Sequence, residues 1–159
     1  MDIATILQKK GRTVVTVKPD ATIAEAVDQL HKHRISCLVV SSDGKQIDGL
    51  VAARDIAYAM AERGKKLRAE SFGNILDTPV TRIMTREVRT CGKQQTLRQV
   101  MGEMTRHHVL HMPVVENGQL CGIVSNDDVV KYAVEEMDLE KSVLQDSLSM
   151  LRTARDTGA

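Results

Sequence analysis

The run from Val14 to Met60 and the run from Val88 to Ala133 pass through one series of patterns in the same order. Such self-similarity constrains the fold more than any other feature, because the two runs must build the same unit. Each begins with a β-rich stretch, Val14-Val15-Thr16-Val17 or Val88-Arg89-Thr90-Cys91. Thr22 and Thr96 then stand just before apolar-periodic residues, where a threonine hydroxyl can satisfy an orphan helix amide. The stripes Ile23, Ala26, Val27, Leu30 and Leu97, Val100, Met101, Met104 have the i, i+3, i+4, i+7 spacing of an amphipathic helix. The helices end near His33 and His107. Apolar strands follow at Cys37-Leu38-Val39-Val40 and His111-Met112-Pro113-Val114-Val115. The dipeptides Asp43-Gly44 and Asn117-Gly118 suit tight turns with positive φ. The strands Gly49-Leu50-Val51 and Gly122-Ile123-Val124 come next, and Asp55 or Asp128 leads into a second helix. The first copy carries one extra residue near Gln46.

Each copy therefore reads β-α-β-β-α, and the predicted fold class is α/β (α+β). A sheet of three short strands with helices on one side leaves apolar surface uncovered. Two copies packed face to face would bury it, with a pseudo-twofold axis between them. The expected organisation is a short N-terminal helix over residues 1–13, the first repeat over 14–63 and a linker over 64–87. The second repeat covers 88–137, and a C-terminal helix and tail cover 138–159. Little breaks the chain between Asp127 and Gly158. Val130, Val134, Met137, Val143, Leu144, Leu148 and Leu151 keep apolar character beyond the repeat, as in a helix that covers a second protomer.

Composition narrows the function classes. Apolar residues make up 42% of the chain but aromatics only 2%, so the core is aliphatic and base stacking on rings has little to work with. The 22 basic and 21 acidic side chains nearly cancel, which does not suggest a polyanionic partner. The densest basic run, Arg63, Lys65, Lys66 and Arg68, lies between the copies and reads as solvated surface. Cys37, Cys91 and Cys121 form no paired motif, and an odd count fits a reducing cytosol. No apolar run is long enough to span a membrane. The first residues open an amphipathic helix rather than a signal peptide, so the expected location is cytoplasmic.

The doubled Gly-x-x-x-x-x-Asp after a hairpin resembles a tandem pair of cystathionine-β-synthase (CBS) domains, a Bateman module. The second copy carries the resemblance most fully, in His111-Met112-Pro113-Val114-Val115, then Gly118, then Gly122-Ile123-Val124-Ser125-Asn126-Asp127-Asp128. Ile83-Met84-Thr85 matches a common linker feature. The likeness covers nearly the whole chain and leaves no catalytic domain over, so it implies a stand-alone CBS-pair protein. It also implies ligand clefts between the repeats. Members commonly bind AMP, ADP or ATP, some bind NAD(H) or S-adenosylmethionine, and dimers forming a disc of four units are frequent.

The chemistry of a nucleotide suits the residues in these positions. A carboxylate can accept from both ribose hydroxyls, and a serine hydroxyl with free helix amides can hold phosphate. By motif position, Asp128 would take the ribose and Ser125 the phosphate. Val15, Ile35 and Ser36 of the other copy, with Ile123 opposite and Thr13 nearby, would enclose adenine. In the first copy Asp55 is kept, but Ala52 stands where the family has Ser or Thr. Arg54 could supply the missing charge, and Thr85, Val88, Val109 and Leu110 would form the walls. His111 falls where some relatives place a basic residue against phosphate, although a histidine is at best partly charged at neutral pH.

Blander roles exist for the same residues. Asp55 and Asp128 are also common helix-capping types. His107 and His111 are four apart, but Pro113 and the helix end near His108 keep the rings from necessarily sharing a face, so no metal site is expected. Three classes of function fit these residues. One is a regulatory binding module. Another is an enzyme, for which no Walker loop, GxGxxG or Ser-His-Asp set is present. The third is a structural dimerisation unit with vestigial clefts.

Overall fold

The computed structural model describes residues 1–66 and 73–156. The side chains of Arg63, Lys65, Lys66, Arg68 and Phe72 lie outside the described residues. Helix α1 (Ile3–Lys10) comes first. The first repeat follows as β1 (Thr16–Val17), α2 (Ile23–His33), β2 (Cys37–Val40), β3 (Gly49–Ala52) and α3 (Ala53–Lys66). The connection holds α4 (Gly73–Leu76) and a 3-10 turn, Val80–Arg82. The second repeat is β4 (Cys91–Gly92), α5 (Leu97–His107), β5 (His111–Glu116), β6 (Gln119–Ser125) and α6 (Asn126–Asp156).

Each repeat builds one three-stranded sheet in chain order, parallel then antiparallel. Thr22 and Thr96 cap α2 and α5, each in a reciprocal box with Glu25 or Gln99. Both helices end on a left-handed residue, Arg34 or His108, at φ 53°. The first strand of each copy is shorter than its β-rich run, because it meets only the far half of its neighbour. Val15 and Val88 precede β1 and β4, and Val15 still accepts from the Val39 amide at 3.3 Å. The hairpins differ too. Asn117 and Gly118 both have positive φ, as a two-residue turn requires. In the first copy only Gly44 does, and the loop is wider: the Asp43 carboxylate accepts from the amides of Lys45 and Gln46 at 2.8 and 2.7 Å.

The two cores are completed crosswise. Ile3, Ile6 and Leu7 of α1 precede the first repeat but are buried with Cys91, Leu97, Val100 and Met112 of the second. Backbone bonds fix this docking, Ile3 N–H to Gln95 O and Leu97 N–H to Met1 O, both 3.0 Å. The connection does the same in reverse. Ile75 and Val80 precede the second repeat but join Val17, Ile23, Leu38 and Val51 of the first. Val80 N–H donates to Ala21 O at 2.8 Å. A glycine admits each crossing segment. A Cβ on Gly122 would lie 2.7 Å from the Leu7 methyls, and one on Gly49 would lie 2.6 Å from the Met84 sulfur.

The second-repeat helix and the C-terminal segment are continuous. One unbroken α6 runs from the head of the second repeat to Asp156.

Candidate functional site

The strand-to-helix junctions after β3 and β6 are built alike. Ser125 caps α6, with its hydroxyl accepting from the Asp128 amide at 3.2 Å. The Asp128 carboxylate answers by accepting from the Ser125 amide at 2.8 Å and from the Ser125 hydroxyl at 2.8 Å. Asp128 is thus the third helical residue of a capping box and not the cap itself. In the first copy Asp55 accepts from the Ala52 amide at 2.8 Å. Ala52 has no hydroxyl to return the bond, so that box is half formed. Ala52→Ser is accordingly expected to stabilise the fold by about 1 kcal/mol in urea denaturation, and Ser125→Ala to destabilise it by about as much.

A cavity of about 490 Å³ opens over Asp128. Ser125, Ile123 and Asp128 form one side. Thr13, at the end of the N-terminal segment, and Val15, Ile35 and Ser36 of the first repeat form the other. The second cleft, over Asp55, has about 170 Å³. Arg54, Asp55, Thr85, Val88, Val109, Leu110 and His111 line it. The residues proposed from sequence therefore gather into two clefts, each faced by both repeats. The sizes differ. Only the first falls within the roughly 300–1,000 Å³ usual for small-molecule sites. Thr85 is held in the smaller cleft by a two-way backbone bridge to Leu50, 2.9 Å in each direction.

Several lining residues had no signal in the repeat pattern. Lys10, at the end of α1, reaches the larger cleft because α1 docks on the second repeat. Its ammonium bonds both the Asp128 carboxylate and, at 2.9 Å, the Ile123 carbonyl. Arg34 and Asp127 also line this cleft, and Glu87 and Arg89 line the smaller one. Burial pushes the Asp128 carboxyl up. The Lys10 hydrogen bond, the Ser125 amide and hydroxyl and the Lys10 charge outweigh it, leaving the group below its ordinary value.

His111 lies between the clefts and lines both. Its Nε2 is 2.9 Å from the Ser36 hydroxyl. Burial, opposed by the Asp127 charge, holds its pKa below the ordinary 6.5. A histidine lowered in the fold binds fewer protons folded than unfolded, so stability rises with pH through that window. The cost is absent well above pH 6.5 and grows as pH falls below it. Melting curves between pH 7.5 and 5 are expected to show this slope, and His111→Gln is expected to flatten it.

Burial disfavours the thiolate at all three cysteines. Burial drives Cys37 and Cys91 up to about 12, and Cys121 is raised as well. Among the described residues, no group of three or more His, Cys, Asp or Glu side chains is placed to hold a metal ion. None of the described helices is long and apolar enough to cross a membrane.

Comparison with known proteins agrees with this architecture. The CBS-domain family pattern matches residues 10–62 and again residues 80–135. A CBS-domain containing protein of Agrobacterium tumefaciens superposes with a TM-score of 0.74 at 39% identity, covering 84% of this chain and 99% of that one. The CBS domain-containing protein YhcV of Bacillus subtilis is 30% identical over 81% of this chain and 83% of its own length. A CBS domain protein of Pyrobaculum aerophilum, solved in complex with AMP, is 28% identical with a TM-score of 0.67, covering 80% of this chain and 89% of that one. The chain belongs to the CBS-domain family, as a tandem pair of CBS domains.

Proposed function

We propose that this CBS pair is a ligand-sensing regulatory module whose Asp128 cleft takes an adenosine nucleotide: AMP, ADP, ATP or NAD(H). The observation that carries the reading is the Asp128 junction. One carboxylate oxygen is fixed by Ser125 and Lys10 at a helix head, in a cleft of about 490 Å³ walled by the other repeat. The other oxygen has no hydrogen-bond partner among the described residues, and it is the one offered to the ribose. The ammonium of Lys10, with one N–H left after Asp128 and Ile123, is the phosphate contact; the Ser125 hydroxyl joins it only by turning its proton away from Asp128, while Val15, Ile35 and Ile123 flank the base. The AMP complex of the Pyrobaculum relative supports this choice of ligand class.

Both repeats touch the ligand, so binding favours one relative arrangement of them, and the output is a population shift read by a partner or by oligomer state. The Asp55 cleft plays a lesser part in this reading, because it is small and lacks the hydroxyl. The Ser36–His111 contact is a hydroxyl–imidazole pair, but no carboxylate is hydrogen-bonded to that ring among the described residues, which favours binding over catalysis.

Thermal melting with each nucleotide, and with S-adenosylmethionine as the sulfonium alternative, tests the proposal. A ligand at a hundred times its Kd adds about 2.7 kcal/mol, or roughly 5–10 °C for a chain of this size. No shift with any of them at millimolar concentration would favour a structural unit with vestigial clefts. Turnover of a bound nucleotide, lost in His111→Ala, would favour an enzyme.

A further inference from the structure

Ser36, Cys37 and His111 line both clefts and form the wall between them. Cys37 stands opposite Ala52 across its sheet, as His111 stands opposite Ser125. Cys37 keeps its proton, because burial pushes the thiol up to about 12. His111 is the group of this wall that titrates near neutral pH. Its Nε2 meets the Ser36 hydroxyl across the two repeats at 2.9 Å. Each partner is tied to the head of a different helix. The Ser36 carbonyl accepts from the Ala53 amide at 2.9 Å, where α3 starts. The Leu110 carbonyl, next to His111, accepts from the Asn126 amide at 2.8 Å, where α6 starts.

We propose that the Ser36–His111 pair is a proton-linked switch: a nucleotide phosphate in the Asp128 cleft draws a proton onto His111, and the charged ring carries the event to the Asp55 cleft. The switch rests on the nucleotide reading of the larger cleft. A bare Nε2 takes the Ser36 proton. A charged ring must donate from Nε2, so Ser36 accepts and its own proton turns outward. One proton taken up thus gives the wall a cation and a free hydroxyl donor, and both suit phosphate. Without phosphate, burial outweighs the neighbouring carboxylates and favours the neutral ring. Asp127 and Asp128 face it from α6 and favour the charged form. From α3, Asp55 favours that form and Arg54 opposes it. Lys10 of α1 and Arg34 at the end of α2 line the larger cleft, and Glu87 and Arg89 line the smaller. A bound phosphate adds negative charge to one side of this balance and tips it towards the imidazolium.

Titration calorimetry with AMP, in buffers of different ionisation heat, reads the protons taken up. At pH 6.5 the native chain is expected to take up about half a proton more per AMP than His111→Gln, whose side chain hydrogen-bonds but does not titrate. The second ionisation of AMP itself contributes to both chains and cancels in the difference. Between pH 8 and pH 6 the native affinity is expected to gain about tenfold over that of His111→Gln, the factor for one unit of pKa rise. By NMR, the His111 ring, identified by its loss in the variant, is expected to titrate at higher pH with AMP bound. The Thr85 and Val88 amides, at residues that line only the smaller cleft, are expected to shift with AMP in the native chain and not in the variant. Equal proton uptake in both chains, or a ring pKa that AMP leaves unchanged, overturns the switch. Shifts at Thr85 and Val88 that survive His111→Gln overturn its reach to the Asp55 cleft. No AMP binding by either chain at any pH overturns the nucleotide reading, and the switch with it.

Discussion

Asp128→Ala is expected to weaken nucleotide binding about a hundredfold, while Asp55→Ala leaves it within about threefold. The first figure follows from two ribose hydroxyls bonding one carboxylate, each charge-assisted bond contributing about 1.5 kcal/mol or more. The second follows from the size of the Asp55 cleft, about 170 Å³ against about 490 Å³. Both aspartates also accept from the backbone amide at the head of a helix. Either substitution therefore costs stability of about 1 kcal/mol. Titration calorimetry separates the two effects, because it reads affinity on chains that remain folded. Asp128→Asn is a second control, since it keeps the shape and removes the charge. Equal losses from both aspartates would mean two equivalent clefts, and no loss from Asp128 would place the ligand elsewhere.

Leu7→Ala is expected to destabilise the fold by about 3 kcal/mol, within the range of roughly 2–5 for a buried leucine. Leu7 is 1% exposed and belongs to the core of the second repeat, although it precedes the first. The same crossing segment carries Lys10 into the Asp128 cleft, so nucleotide affinity is expected to fall with stability. Gly122→Ala is expected to cost about 1–3 kcal/mol by overpacking, because the new methyl would sit 2.7 Å from Leu7. The pair is the informative variant. With Leu7 already truncated, the Gly122 methyl has room, so the double variant should cost less than the sum in urea denaturation. Additive costs would mean that α1 does not rest on Gly122.

The fold was legible where the repeat spoke twice. Thr22 with Thr96 and His33 with His107 marked both ends of α2 and α5, and the structure places the helices between them. The proposed cleft residues are brought together for the same reason, since Asp55 and Asp128 occupy matched junctions. What the repeat could not carry was the exchange between copies. Nothing in the spacing of Ile3, Ile6 and Leu7 says which of two similar sheets the helix will cover, and Lys10 inherits that silence. Arg34 is another case. The repeat shows a helix ending at His33, but the left-handed turn that brings Arg34 to the cleft depends on local backbone geometry. Asp128 was legible as a residue but not as a position. Its residue type suits a ligand group or a helix cap, and the structure makes it the third residue of a box whose cap is Ser125.

The most direct test of the central claim, one working nucleotide cleft shared by two repeats, is a count of bound ligands. Native mass spectrometry of the chain with AMP in modest excess is expected to show one nucleotide per chain and none in Asp128→Ala. Two nucleotides per chain bound with equal strength, or one that survives loss of Asp128, would contradict the account.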